Sequence, residues 1–319
     1  MRALVLGADG VTLHNHHPNP LQGEGDVLVR VLRAGICETD LQLIRGYMGF
    51  RGVLGHEFVG IAQDGPLAGR RVVGEINSSC GACVTCQSGL RTHCPERTVL
   101  GILGHDGAFA DYVAVPARNL HPVPDSVSTD AAVFCEPLAA AFQIPAQVPI
   151  GKSDRVIVLG DGRLGNLCAQ VLARCTAHLL VAGKHPRKLA QLSRLGLHTC
   201  LANDLPADHA ADIVVDCTGS STGLPAALGL VRPRGTVVMK TTVAGEQTLA
   251  LAPMVINEVT LVGSRCGPFH RALSALESND VDVMSLISER FPLADGVEAL
   301  SHARTQPVLK VLLDVDARD

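Results

Sequence analysis

The chain of 319 residues contains no tryptophan and two tyrosines, and aromatic side chains amount to 3%. Stacking platforms for nucleic-acid bases are thereby all but excluded. Positive charge is not in excess either: 27 Lys and Arg face 31 Asp and Glu, for a formal charge of −4. Such a balance provides no field for nucleic acid or for an anionic membrane, and neither is expected as a partner. Long apolar runs are missing, with none reaching the roughly 18 residues of a membrane span. The opening MRALVLGADG is too short and lacks the cleavage pattern of a secretory signal, so a cytoplasmic protein is expected. Disorder is excluded by 47% hydrophobic and 18% charged residues. The length leaves room for two domains.

Cysteine is abundant by contrast. There are eleven, an odd number, and Cys80, Cys83, Cys86 and Cys94 crowd into SSCGACVTCQSGLRTHCP. In a reducing compartment such crowding points to metal rather than disulfides. Four thiolates with no other donor make a closed, structural zinc site. Its binding energy, on the order of 10 kcal/mol, is folding energy for a loop with little apolar content. An iron–sulfur run competes with this reading, although its last gap is three residues and not seven. Further upstream lie Cys37 in GICETD and His56-Glu57 in VLGHEFVG. Thiolate, imidazole and carboxylate form a zinc-type set, and three ligands with an open position make a catalytic site. Taken singly, Cys37 reads as a core cysteine and His56 as a loop histidine. His14, His16 and His17 lie among prolines and asparagines and read as an exposed loop.

The second half is organised around RVIVLGDGRLGNLCAQVLAR. An apolar strand runs into Gly160, Gly162, Arg163, Leu164 and Gly165, with glycine at the first, third and sixth places of the turn. Leu164, Leu167, Cys168, Val171 and Leu172 then share one helical face. Strand, glycine turn and helix in this order form a dinucleotide-binding unit, with the pyrophosphate at the helix N-terminus. Beyond it, residues 178–182, 213–217, 236–240 and 259–263 read as strands, and 186–195 and 269–277 as helices. This is the rhythm of a parallel, doubly wound α/β sheet.

The order GICETD, GHEFVG, the four-cysteine lobe, DGAFADYVAVP, CEPLAAA and GDGRLG resembles the zinc-dependent medium-chain alcohol dehydrogenases, in the style of the polyol and threonine dehydrogenases. The similarity runs over essentially the whole chain to ERFPLADGVEAL and VLKVLLDV. It implies a β-rich, GroES-like catalytic domain at 1–147 carrying a structural zinc lobe at 78–96. A Rossmann domain at 148–266 is inserted in it, and the chain returns to the catalytic domain at 267–319. By the same resemblance Cys37 and His56 are ligands of a catalytic zinc, Glu136 of the E-P-L motif is the third, and Glu57 is an alternate ligand. A second zinc belongs to Cys80, Cys83, Cys86 and Cys94. Thr39 matches the hydroxyl that passes on the substrate proton. Asp40 matches the carboxylate behind a ligand histidine, with a helix cap as the other reading. Thr218, Ser264, Arg265 and Lys310, the last near the pyrophosphate, are implied as cofactor contacts.

The implied activity is hydride transfer between a nicotinamide cofactor and an alcohol/carbonyl pair: a small to medium secondary alcohol, a polyol or an aldehyde. A catalytically silent cofactor-binding relative is the alternative, and an iron–sulfur protein a further one. A homodimer is expected, with a tetramer as the other option. Two departures stand out. Gln42 occupies the place of a relay histidine, leaving His105 as a candidate, and the proline common before GHE is absent. At the end of the second Rossmann strand the acid that grips the ribose 2′-hydroxyl is missing. The stretch reads Gly183, Lys184, His185 and, further on, Lys188. Room at Gly183 and cations around it favour NADP(H), with NAD(H) as the alternative.

Overall fold

The computed structural model describes residues 1–205, 208–242 and 249–316. The chain divides into two compact units, Met1–Glu136 with Phe269–Asp319, and Pro137–Pro268. The first crossing falls earlier than the expected 147/148, because the helix that begins at Cys135 belongs with the second unit from Pro137 onward. Among the described residues no helix is long and apolar enough to cross a membrane.

Unit 1 begins with a hairpin of β1 (Ala3–Gly7) and β2 (Gly10–His14), then the long β3 (Asp26–Gly35). Helix α1 (Glu38–Ile44) leads through β4 (Gly52–Val53) to β5 (Glu57–Ala62) and β6 (Arg71–Gly74). A lobe is closed by β7 (Asn77–Ser78), α2 (Val84–Gln87) and β8 (Thr98–Val99), and the chain continues into β9 (Tyr112–Pro116), β10 (Leu120–Pro122) and α3 (Thr129–Ala132). In β3 the alternation of DVLVRV buries Val27, Val29 and Val31. A register shift between Val31 and Arg33 then changes which residues face the core, so Leu32 and Ala34 are buried too. His16 lies in an exposed bend, whereas His14 ends β2 and His17 is half-buried, so the expected exposed loop holds for His16 and not for all three.

After α4 (Cys135–Gln147), unit 2 alternates strand and helix: β11 (Arg155–Leu159), α5 (Arg163–Leu172), β12 (His178–Gly183), α6 (Pro186–Arg194), β13 (His198–Leu201), β14 (Ala211–Asp216), α7 (Gly223–Leu230), β15 (Val231–Met239), α8 (Ala252–Ile256) and β16 (Thr260–Gly263). All six strands are parallel, in the order β13-β12-β11-β14-β15-β16. That is the doubly wound Rossmann order, in which the order reverses between β11 and β14 and leaves a crevice at the carboxyl ends. Val156, Val158, Val181, Val214, Val215, Val237 and Val238 are fully buried, which is why these strands read as unbroken apolar runs. Strand β13 was not expected: it is a four-residue edge strand with an exposed or half-buried HTCL pattern.

The chain re-enters unit 1 with α9 (Phe269–Glu277), β17 (Ile287–Pro292), α10 (Gly296–Thr305) and β18 (Lys310–Asp314). Strand β18 lies between β3 and β17, antiparallel to the first and parallel to the second. Across this junction Asp130 on α3 receives both Arg33 of β3 and Arg290 of β17. Burial alone would push the Asp130 carboxyl up, but the two guanidiniums outweigh it and hold it below the usual value. Asp130→Asn should therefore cost about 1–3 kcal/mol near neutral pH, measured by urea unfolding. Because the folded value is lowered, the gap between wild type and variant should be intact above about pH 4 and shrink as the pH falls further. A gap that is constant with pH would rule this account out.

Candidate active site

The site in unit 1 follows from one strand register. Gly35, the last residue of β3, lies opposite Glu57, the first of β5. Cys37 stands two residues beyond Gly35 and His56 one residue before Glu57, so the antiparallel pairing delivers thiol and imidazole to the same place. The donor atoms of Cys37, His56 and Glu57 all lie within 4.8 Å of one another. His56 and Glu57 are buried, while Cys37 is half-buried.

Asp40 serves two groups here. One oxygen accepts the Cys37 backbone N–H at 2.8 Å, capping α1, and the other faces His56 Nδ1 at 3.3 Å. One carboxylate thus both caps the helix and faces the histidine ring. The Nδ1 contact lacks hydrogen-bond alignment, and neither buried atom has a hydrogen-bond partner among the described residues. Nδ1 turned to a carboxylate leaves Nε2 as the ring's ligating edge, the arrangement usual for metal-binding histidines. Burial pulls the His56 pKa down, but Asp40 and then Cys37 outweigh it and hold it well above the ordinary value. A proton on this ring and a metal ion compete for the same negative surroundings, so the donor set fits a divalent cation.

The carboxylate of Glu57 meets the ammonium of Lys310 on β18. Lys310 also donates to the Ile36 carbonyl at 3.3 Å and lies 5.6 Å from the Phe134 ring centroid. It is 1% exposed. The sequence reading put Lys310 near a pyrophosphate; in the structure its ammonium is spent inside unit 1 on Glu57. Glycine at 35 is what admits the pair. A Cβ there would lie 2.7 Å from Glu57 Oε2 and 2.8 Å from Val133 Cγ1.

Glu136, at the start of α4, is half-buried and is not one of the three residues whose donor atoms lie within 4.8 Å. The neighbouring Cys135 is a core residue, its thiol pushed well up by burial and then by Glu136 and Glu75. Thr39 places its hydroxyl 3.8 Å from the Cys37 sulfur. Gln42 hydrogen-bonds Glu38 at 2.9 Å along α1, and His105 bonds the Asp106 carbonyl in its own turn.

In the lobe between β7 and β8, the sulfur pairs Cys80–Cys94, Cys83–Cys94 and Cys80–Cys86 are 3.6, 3.8 and 4.0 Å apart. A disulfide needs about 2 Å. Four sulfurs at about 2.3 Å from one tetrahedral ion are about 3.8 Å apart, so these spacings suit a single ion. Burial, and next the hydrogen bond with Cys83, push the Cys86 thiol up to about 11. Thiols clustered in this way give up their protons most readily to a cation.

In unit 2 the glycine turn connects β11 to α5. Gly160 has φ +117°, and its Cβ would lie 2.7 Å from the Cys217 carbonyl oxygen. Gly162 precedes α5, whose first residues are Arg163, Leu164 and Gly165. At the end of β12, Gly183 is buried, Lys184 and His185 are exposed and Lys188 is half-buried. Thr218 donates its hydroxyl to Asp216 at 2.8 Å. Ser264 and the Arg265 carbonyl are gathered by Lys240, whose buried ammonium also donates to the Ala140 carbonyl at 2.7 Å. Lys240 had no signal in the sequence beyond ending a strand. Asp161 did have one, as an acid inside the glycine turn, and its carboxylate holds His185.

Residues 23–125 match the alcohol dehydrogenase GroES-like domain, and residues 164–278 match the zinc-binding dehydrogenase domain. Together with the doubly wound sheet, these define the class as a zinc-binding dehydrogenase. The chain is 31% identical to an L-threonine 3-dehydrogenase of Streptomyces avermitilis, covering 93% of this chain and 94% of that one. It is 28% identical to a sorbitol dehydrogenase of Halalkalibacterium halodurans, covering 98% and 99%. Of solved structures, a zinc-binding dehydrogenase from Sinorhizobium meliloti bound to NADP matches with a TM-score of 0.88 at 26% identity, covering 98% and 99%. The chain belongs to the zinc-dependent medium-chain dehydrogenases. Within them it falls in the polyol and threonine dehydrogenase-like group, oxidoreductases of alcohols that use zinc and a nicotinamide cofactor.

Proposed function

We propose that the protein oxidises a small to medium secondary alcohol or polyol, or reduces the matching carbonyl, with NADP(H) preferred over NAD(H). The observation that carries this reading is the convergence of Cys37, His56 and Glu57 within 4.8 Å, backed by Asp40. Sorbitol and threonine, named in the relatives, both carry secondary hydroxyls and support the substrate class. A zinc ion at this site supplies Lewis acidity toward the alcohol oxygen, and the bound nicotinamide supplies the hydride acceptor.

The chain's own residues do the rest. Cys37 and His56 hold the ion, and Asp40 fixes the His56 ring while keeping the start of α1 in place. Glu136 is the third ligand and Glu57 the exchangeable one. The Lys310 ammonium on Glu57 supports this division, since it competes with any cation for that carboxylate. The Thr39 hydroxyl, beside the Cys37 sulfur, passes the substrate proton on, giving up its own as it accepts that of the alcohol. Gln42, tied to Glu38, cannot relay it further, so the proton would pass to water or to a hydroxyl of the bound cofactor. A second ion sits in the lobe of Cys80, Cys83, Cys86 and Cys94, where it is structural. The sulfur spacings support one tetrahedral ion there rather than an iron–sulfur cluster. The convergence of Cys37, His56 and Glu57 speaks against a silent relative.

Units 1 and 2 act as catalytic and dinucleotide-binding domains. Reducing conditions, as in the cytoplasm, suit the closely spaced free thiols. The preference for NADP(H) rests on the missing strand-end acid, on the cations at 184, 185 and 188, and on the NADP-bound structural relative. A homodimer is supported by the apolar edge of unit 2. Val255 and Ile256 of α8 are 76% and 77% exposed beside the edge strand β16. Light scattering should give twice the chain mass, and a monomer would refute this.

A panel of alcohols and ketones with both cofactors tests the activity, and metal counting by mass spectrometry tests the sites. Cys37→Ser should lower turnover at least about a thousandfold while the fold and one ion remain. Cys83→Ser should instead lower Tm by more than about 5 °C. Full activity in the first, or wild-type stability in the second, would overturn the corresponding assignment. Replacing Lys184 and Lys188 by alanine should weaken NADPH about tenfold more than NADH, and equal losses would count against the preference.

A further inference from the structure

The acid missing from the end of β12 is not absent from the neighbourhood; it has changed strands. Asp161, the second residue of the glycine turn, points its carboxylate into the space that a side chain at 183 would occupy. A Cβ on Gly183 would lie 2.5 Å from Asp161 Cβ and 2.6 Å from its Cγ. No residue larger than glycine coexists at 183 with Asp161 in this position.

The same carboxylate grips His185. It accepts the His185 backbone N–H at 2.6 Å, and the ring Nδ1 stands 2.9 and 3.1 Å from its two oxygens. An ionised carboxylate only accepts hydrogen bonds, so Nδ1 carries the proton and Nε2 is the opposite, outward edge of the ring. The Asp161 side chain is 7% exposed and that of His185 is 55% exposed. A ligand therefore meets imidazole, with the carboxylate behind it.

We infer that Asp161 is a positioning residue for cofactor choice: it excludes an acid at the strand end and holds the His185 ring where the 2′-phosphate of NADP(H) is received. This rests on the NADP(H) reading above, but it concerns the change in selectivity on substitution, whereas that reading concerns the wild-type preference. Plain repulsion of the 2′-phosphate by Asp161 would act in the opposite direction. It is the weaker effect here, because the carboxylate is covered and engaged by two N–H groups while the imidazole is exposed.

Dissociation constants for NADPH and NADH, read from cofactor fluorescence on the substrate-free holoenzyme, test the inference. Asp161→Ala and His185→Ala should each weaken NADPH about tenfold and NADH less than about twofold. The double variant should be no worse than either single one, because one residue acts through the other. Returning the acid to the strand end, with Asp161→Gly and Gly183→Asp together, should move the preference toward NADH. The inference is overturned if Asp161→Ala binds NADPH as tightly as wild type or tighter. Equal losses for both cofactors, additive losses in the double variant, or an unmoved preference in the exchange variant would overturn it as well. Should Asp161→Ala fail to fold, His185→Ala on the exposed ring decides alone, and unchanged NADPH binding there overturns the inference. Tighter NADH binding by the wild type would sink the NADP(H) reading, while a selective NADPH loss in the variants would still uphold Asp161.

Discussion

Where β3 meets β5 there is room for a hydrogen atom and nothing larger. This closeness at Gly35 lets Glu57 reach Lys310 through the interior of unit 1, and it sets the register that places Cys37 next to His56. Taking a carboxylate and an ammonium out of water costs several kcal/mol for each ion, and only good pairing offsets it. Here Lys310 has Glu57, a backbone carbonyl and the Phe134 ring, while His56 has Asp40. The buried charges therefore compensate one another in pairs. The glycine is not a hinge but a spacer, and the polar interior of the site is built around it.

The two donor clusters differ in charge as well as in composition. A divalent ion among four thiolates would leave a net charge of about −2, and that cluster includes the exposed Cys80. One thiolate, one neutral imidazole and one carboxylate would leave the other centre near zero, and it is built from buried or half-buried side chains.

Features whose physical requirement is local were legible in the sequence. The four cysteines within one lobe, the glycine turn between strand and helix, and the parallel rhythm of unit 2 are all contained in short windows. Cys37 and His56 became informative only through resemblance, since their meeting depends on a pairing between separated strands. Residues that matter through distant partners were not legible. Lys310 finds Glu57 across 253 positions, and nothing near it in the chain announces this. Asp161 escaped because the turn is read by its glycines, and β13 because a short, half-exposed edge strand carries little apolar pattern.

The late position of β18 has a consequence for how the protein comes into being. A ribosome synthesises Gly35 and Glu57 early, then all of unit 2, and only near the end the strand that carries Lys310. Until that strand arrives, the sheet of unit 1 lacks its member between β3 and β17, and Glu57 has no ammonium to meet. Unit 2, contiguous in the chain, is free to fold first. Completion of the polar interior therefore waits for β18, and a nascent chain cut short of that strand carries a solitary acid where a longer one carries a pair.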